Sequence, residues 1–140
     1  MKKLFLLLLV VYSCTTGPIQ TEEENTEVLD KTVRIEVNTL QENDAVQINY
    51  YDYIEDKHIL NEYLFDYDSS GNAIPIVITL DDYDFRYIQG NIYRKNSIPT
   101  QLSLKIYVDD ELIIDESKTG DGSEWINIEF NYDILKEENI

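Results

Sequence analysis

The sequence predicts an all-β fold, an antiparallel immunoglobulin-like β-sandwich of seven to eight strands. From Thr32 onward, apolar and polar residues alternate with a period of two, as in residues 102–108, which is the pattern of half-buried strands. Short polar segments rich in Gly, Asn and Asp separate these runs. No stretch of a dozen residues keeps the 3.6-residue apolar stripe of an amphipathic helix. One apolar and one polar face per strand favours antiparallel sheets packed face to face.

Seven stretches of the sequence have clear strand patterns. They are residues 33–37, 46–50, 62–67, 74–79, 102–108, 111–117 and 126–132. The segment 83–93 is less clear, because Phe85, Tyr87 and Ile92 fit a strand that Gly90 would interrupt. This segment supplies the eighth predicted strand.

Turn residues stand between the predicted strands. Asp109-Asp110 lies between residues 102–108 and 111–117 and predicts a hairpin with a two-residue loop. Residues 68–72 and 119–122 contain glycine, which adopts the positive φ angles of tight turns without steric cost. The turns therefore agree with the strand boundaries that the alternation gives.

The N-terminus has the layout of a secretion signal. Lys2 and Lys3 precede an unbroken apolar run over residues 4–11, and Cys14, the only cysteine, follows shortly after. Its end resembles the lipobox of bacterial lipoproteins, which implies cleavage before Cys14 and lipidation of that residue. The alternatives are an ordinary signal peptide and a membrane helix, but eight apolar residues fall well short of the roughly 20 that span a bilayer.

Four regions follow from these patterns. Residues 1–13 form the predicted signal peptide, residues 14–31 the lipidated cysteine and an acidic tether, residues 32–134 the β-sandwich, and residues 135–140 a polar tail. The tether is interpreted as a solvated linker; its acidic run, Glu22-Glu23-Glu24, alternatively resembles a surface-export signal. These features predict a protein of the cell envelope that is attached to the outer membrane by lipid on Cys14. Its domain would face either the periplasm or the cell surface.

The composition restricts the partners and the chemistry. Twenty-eight Asp and Glu residues against eleven Lys and Arg give a formal net charge of −17, which repels nucleic-acid phosphates. With Cys14 lipidated, no disulfide or thiolate chemistry is expected. His58 is the only histidine, and its polar surroundings favour a solvated loop residue over a catalyst. No phosphate-binding loop, HExxH or GxSxG motif is present, so we predict neither an enzyme nor a cofactor.

One segment resembles the start of a calcium loop. Asp66, Asp68 and Ser70 place oxygens at alternate positions before Gly71. The twelfth position, where such loops have a bidentate acid, is Val77. We therefore favour an ordinary turn over a metal site, and interpret the nearby acids of residues 81–84 as a solvated loop.

The aromatic residues give the clearest binding hypothesis. Tyr51, Tyr53, Tyr107 and Trp125 are candidates for a ligand-binding platform, since Tyr107 and Trp125 are out of phase with the core positions of their strands. We favour the alternative, which is cross-strand aromatic packing on half-exposed sheets.

A weak family resemblance also exists. Residues 45–50, 74–80, 104–112 and 119–122 resemble the corresponding strands and turns of the MmpS-type small membrane-anchored β-sandwich proteins. The chain departs from them in having Asp82-Tyr83 at a tryptophan position, no cysteine pair, and a lipobox in place of a membrane helix. The resemblance implies a sandwich and an accessory, partner-binding role.

Three functional hypotheses remain. The first is a non-enzymatic, membrane-tethered accessory protein that binds another envelope protein. The alternative is a carbohydrate-binding surface lipoprotein that uses the aromatic platform. The third, a small hydrolase with paired carboxylates, is disfavoured because no pair stands out among the 28 acids.

Overall fold

A computed structural model describes residues 30–136 of the chain. The predicted signal peptide, Cys14 and nearly all of the tether lie outside the described residues, as do residues 137–140. Ten strands and one short 3-10 helix, η1, make up the described part. They are β1 Lys31–Thr39, β2 Ala45–Asp52, β3 Lys57–Leu64, β4 Asp66–Tyr67, β5 Ala73–Ile74, β6 Ile76–Tyr83, β7 Tyr87–Tyr93, β8 Gln101–Val108, β9 Glu111–Thr119, β10 Asn127–Asp133 and η1 Ile134–Lys136.

Eight of the strands form two antiparallel four-stranded sheets. Sheet A has the order β6-β1-β8-β9 and sheet B the order β10-β7-β2-β3, while β4 and β5 form a separate two-stranded ribbon. The predicted all-β antiparallel sandwich is therefore confirmed. Its strand order differs from that of a constant-type immunoglobulin domain, because β1 and β2 lie in different sheets instead of pairing.

The core lies between the two sheets and follows the predicted alternation. On β1, Val33, Ile35 and Val37 are buried while the residues between them are half-buried or exposed. The other strands of the core behave in the same way: the buried set continues with Val46, Ile48, Ile88, Ile92, Leu102, Leu104, Ile106, Ile128 and Phe130. Burying each such side chain contributes roughly 1.5–3 kcal/mol, which makes this layer the main stabilising element.

The hairpin between β8 and β9 has the predicted two-residue loop. Asp109 and Asp110 both have positive φ angles, 48° and 67°, as a type I′ turn requires. Asp109 also joins the turn to β1, because its N–H donates to the Thr32 carbonyl and its Oδ1 accepts from the Thr32 N–H, both at 2.9 Å. These bonds, with Lys31, hold the pKa of the Asp109 carboxyl below its ordinary range.

Three local predictions need correction. The predicted strand 62–67 is in fact the end of β3 followed by β4, and β3 begins at Lys57. His58 therefore lies in a strand, not in a loop. The sequence misses residues 57–61 of β3 because β3 is an exposed edge strand without a buried face, so its alternation is weak. Leu135, predicted to begin a polar tail, packs against the core as part of η1.

Candidate functional site

The outer face of sheet B carries the most distinctive set of polar side chains in the described part of the chain. Since alternate residues of a strand point to opposite faces, the neighbours of the buried positions point outward. On β2, β7 and β10 these outward residues include Asn49, Asn91 and Asn127. We call these three residues the amide row.

The amide row is a chain of side-chain hydrogen bonds that crosses three strands. Asn49 Nδ2 donates to Asn91 Oδ1 at 3.0 Å, and Asn91 Nδ2 donates to Asn127 Oδ1 at 3.0 Å. Asn127 Nδ2 then donates to Glu129 Oε1 at 2.9 Å. A primary amide has two donors and two acceptor sites, so each member keeps capacity for further bonds. The row is thus oriented by its own contacts and still able to bind a ligand.

One acceptor in the amide row is unused. Asn49 Oδ1 is buried, and over residues 30–136 it is the one buried side-chain polar atom without a hydrogen-bond partner. Leaving a buried acceptor unpaired costs about 1–3 kcal/mol.

A shallow depression of about 390 Å³ lies beside the amide row. Its lining combines amides, an imidazole and a carboxylate, from Asn49, His58, Gln89, Gly90, Asn91, Glu129, Phe130 and Asn131. Gly90 shares the inward phase of Ile88 and Ile92, and a Cβ atom there would lie 2.1 Å from the Asn49 carbonyl oxygen and 2.6 Å from Cζ of the core residue Phe130, so a larger residue does not fit without a shift of the strands or the ring. The strand is therefore continuous through Gly90, which the sequence suggested would interrupt it.

Aromatic rings border the depression at the end of the sheet where β2 ends and β7 begins. The Tyr51 ring is 5.5 Å from His58 and 4.9 Å from Phe85, measured between centroids, and Phe85 is 6.0 Å from Tyr87. We call these four residues the aromatic strip. Their tilted and edge-on contacts are the favoured geometries for aromatic pairs, which fixes the rings beside the depression.

The charged groups at the rim of this face are paired. Arg86 forms two hydrogen bonds to Asp133, of 2.8 and 2.7 Å, and Lys95 Nζ lies 2.9 Å from Glu62 Oε2. Hydrogen bonds from Arg86 lower the pKa of Asp133, and those from Lys95 and Gln47 lower that of Glu62. Both acids therefore stay ionised and balanced by their partners near neutral pH.

The four predicted platform residues do not form one surface. Only Tyr51 lies on the outer face of sheet B. Tyr53 packs its ring 4.8 Å from Tyr83, and Tyr107 lies on the outer face of sheet A with the Arg34 guanidinium 3.9 Å from its centroid. Trp125 is 61% exposed in the segment before β10, next to Lys118 and Asp121.

The calcium-like segment forms an ordinary turn. Asp68 Oδ1 accepts from the N–H groups of Ser70 and Asn72, both at 2.8 Å, and bonds from Asn72 and Ser70 lower the Asp68 pKa. Asp66 lies in β4, one residue before Tyr67. In the part of the chain that the structure describes, no group of three or more His, Cys, Asp or Glu residues is placed to hold a metal ion.

A buried ion pair was missed by sequence reasoning. Arg94 is fully buried and its Nε donates to Asp44 Oδ2 at 2.8 Å, while its Nη2 donates to Thr39 Oγ1 at 2.7 Å. Its Nη1 also donates to the Thr100 carbonyl at 3.0 Å. These bonds join the β1–β2 connection to the segment between β7 and β8, so they tie sheet A to sheet B at one end. Arg94 continues the inward phase of Ile88 and Ile92, which was the available signal, but a charged residue at the end of a strand pattern is ordinarily taken as exposed.

Comparisons with known proteins give no assignment. Neither the protein-family models nor the curated proteins include a match to this chain. Across residues 30–136, no helix is long and apolar enough to cross a membrane.

Proposed function

We propose that this chain is a non-enzymatic, membrane-tethered binding protein of the cell envelope that recognises neutral glycans through the outer face of sheet B. The amide row, placed beside the aromatic strip on one open face, is the observation that carries the proposal. The sequence predicts carbohydrate binding as an alternative function, through Tyr51, Tyr53, Tyr107 and Trp125. The proposal keeps that function and assigns it to the amide row and the aromatic strip.

The chemistry of the face suits a sugar. Sugar hydroxyls both donate and accept hydrogen bonds, and so do the amides of Asn49 and Asn91. The C–H face of a pyranose ring packs on aromatic rings, for which the aromatic strip provides an apolar surface with polar edges. The shallow, open shape of the depression suits a chain lying across it more than a small molecule enclosed in a pocket.

The charge of the protein favours uncharged ligands. A formal net charge of −17 repels anionic polysaccharides as it repels nucleic acid. The acids at the rim, Glu62 and Asp133, have pKa values below their ordinary range, whereas a glycosidase acid needs a raised pKa. Binding without hydrolysis, and without a cofactor, is therefore the proposed activity.

The tether fits this arrangement. It joins the domain at β1, which is an inner strand of sheet A, so attachment does not use a strand of sheet B. The proposed anchor is lipid on Cys14, supported by Lys2, Lys3 and the apolar run over residues 4–11. Labelled fatty acid should enter the native chain and not the Cys14→Ser variant; equal labelling of both would contradict the anchor.

The binding proposal is tested with a glycan panel. Soluble neutral glucans, mannans and chitin oligomers would be compared with anionic polysaccharides by affinity electrophoresis and calorimetry, using the full chain. We expect at least one neutral class to bind, and Asn91→Ala to weaken binding at least about tenfold by removing the centre of the amide row. The matched control is Ser103→Ala, a half-buried outward residue at the centre of sheet A.

Two results would contradict the proposal. One is the absence of binding to every neutral glycan by a folded chain. The other is an equal loss of affinity in Asn91→Ala and Ser103→Ala. Recovery of one stable envelope protein on the same face, blocked by Asn91→Ala, would instead support the protein-binding hypothesis.

A further inference from the structure

The four edge strands of the sandwich differ in how they are protected. A regular exposed edge offers unpaired N–H and C=O groups to another strand, and proteins usually prevent this with bulges, charges or covering segments. The edge β9 has a register irregularity at Ile106/Tyr107 of its partner β8, and β6 has one near Lys31/Val33 of its partner β1. The edges β9 and β10 also lie near each other, since Ile113 and Tyr132 line the same cavity.

The β3 edge is less protected, since its two charged residues, Lys57 and Glu62, are each ion-paired within the chain. It pairs with β2 in an unbroken register of eight residues, from Lys57 opposite Asp52 to Leu64 opposite Ala45. It contains no proline and no bulge. Within the described residues it is therefore the edge best suited to accept another strand.

Exposed apolar side chains lie along this edge. Leu60, at the middle of β3, is 57% exposed, and Leu64, at its end, is 76% exposed. Ile54, in the turn that leads into β3, is 71% exposed. Covering these side chains would stabilise a complex that pairs along β3.

We infer that β3 pairs with β3 of a second copy of this chain, antiparallel and with two-fold symmetry about Leu60. The sequence of β3 is self-complementary in this register: Leu60 meets its own copy, and His58 of each chain stands opposite Glu62 of the other. Within residues 30–136, β3 is the edge strand that combines an unbroken register of eight residues with exposed leucines at its middle and its end. The pairing would join two copies of sheet B into one eight-stranded sheet.

The inference is independent of the glycan proposal, although it bears on it. A two-fold axis perpendicular to the joined sheet leaves both outer faces on the same side. Two copies of the amide row would then face the same way, so that one long ligand could contact both. Because each chain carries a net charge of −17, salt should strengthen the dimer by screening repulsion.

Site-specific crosslinking tests the register. In a full chain with Cys14→Ser, Leu60→Cys would introduce the only thiol. In the proposed pair the two residues stand directly opposite each other, with Cα atoms about 4.5–5.5 Å apart, which lies within the range that a disulfide spans, so mild oxidation should produce a covalent dimer. Leu112→Cys is the matched control, because Leu112 is an exposed leucine on the edge strand β9. Equal crosslinking of the two variants would overturn the inference.

Sedimentation of the uncrosslinked full chain, also with Cys14→Ser, provides the second measurement. We expect a monomer–dimer equilibrium that Leu60→Lys abolishes and Leu112→Lys leaves intact. A chain that remains monomeric from micromolar to submillimolar concentration overturns the proposal. So does a dimer that Leu60→Lys does not weaken, since that dimer would use another surface. Circular dichroism of both lysine variants separates a lost interface from a lost fold.

Discussion

The two outer faces of the sandwich have the same strand geometry and different chemistry. On sheet A, charged groups satisfy one another: Arg34 bonds to Glu36 and covers the Tyr107 ring, and Lys105 lies 3.8 Å from Asp115. On sheet B, neutral amides occupy the centre and charged pairs occupy only the rim. The difference lies in which side chains the alternation brings to the surface.

We propose that this difference separates a solvated surface on sheet A from a ligand-binding surface on sheet B. Exposed ion pairs are well hydrated and contribute about 1 kcal/mol or less to stability, and they have little affinity for uncharged ligands. Amides hold each other in place and keep donors and acceptors for a ligand. We therefore expect substitutions on the outer face of sheet A to change the free energy of unfolding slightly and to leave ligand affinity unchanged. Substitutions at the centre of sheet B should lower ligand affinity.

The largest expected effect comes from the residue that ties the sheets together. Arg94→Met removes one partner of a buried ion pair and leaves Asp44 uncompensated, which should lower the free energy of unfolding by about 3–5 kcal/mol. Arg34→Met, on the outer face of sheet A, should cost about 1 kcal/mol or less. Urea unfolding followed by circular dichroism measures both. Equal losses would show that the buried pair has no special role.

A smaller loss is expected at the centre of sheet B. Gly90→Ala would place a methyl group against the Asn49 carbonyl and the Phe130 ring, and the strands must shift to accommodate it. We expect a loss of about 1–3 kcal/mol, because the buried Phe130 ring and the paired strands must move to make room. Ser103→Ala at the centre of sheet A should stay within about 0.5 kcal/mol of the native chain. A Gly90→Ala variant as stable as Ser103→Ala would contradict this account of the packing at Gly90.

The smallest predicted effect concerns alkaline pH. Tyr83, the last residue of β6 in sheet A, donates its hydroxyl to the Tyr87 carbonyl of sheet B at 2.7 Å, and burial raises its pKa above the ordinary value of 10.0. The unfolded chain ionises this phenol near pH 10 while the folded chain does not. Stability should therefore be complete below about pH 10 and fall as the pH rises further.

Tyr83→Phe separates the contribution of the Tyr83 hydrogen bond to stability from the effect of ionising its phenol. At pH 7 it should lose about 0.5–1.5 kcal/mol with the hydrogen bond. Above about pH 10 its stability should fall less steeply than that of the native chain, because one ionising group is absent. Unfolding curves at several pH values measure the slopes, and parallel slopes would show that Tyr83 is not protected from ionisation.

The sequence predicts the core better than the site. In β1, β8 and β10 the alternation identifies buried positions such as Val33, Leu104 and Ile128 correctly, because the inward phase of a strand is a local property. The turn at Asp109 is likewise local. The first part of the edge strand β3, residues 57–61, is missed because solvent covers most of the strand, so no face needs to be apolar.

The amide row could not be predicted because its members are distant in sequence. Asn91 lies 42 residues from Asn49 and 36 from Asn127, and they meet only through the pairing of β2, β7 and β10. The period-two alternation shows that each asparagine points outward. It does not show which residues of the neighbouring strands lie beside that asparagine. The predicted aromatic platform fails for the same reason: Tyr51 and Tyr107 lie in different sheets.

The most direct test of the binding face is a nuclear magnetic resonance titration of the side-chain amides. With the best neutral oligosaccharide of the panel, the NH₂ resonances of Asn49, Asn91 and Asn127 should shift together and saturate with one affinity. The side-chain amide of Gln101, which bonds to Ser117 Oγ on the outer face of sheet A, should not move. Shifts confined to sheet A, or resonances of the amide row unchanged at saturating ligand, would contradict the account.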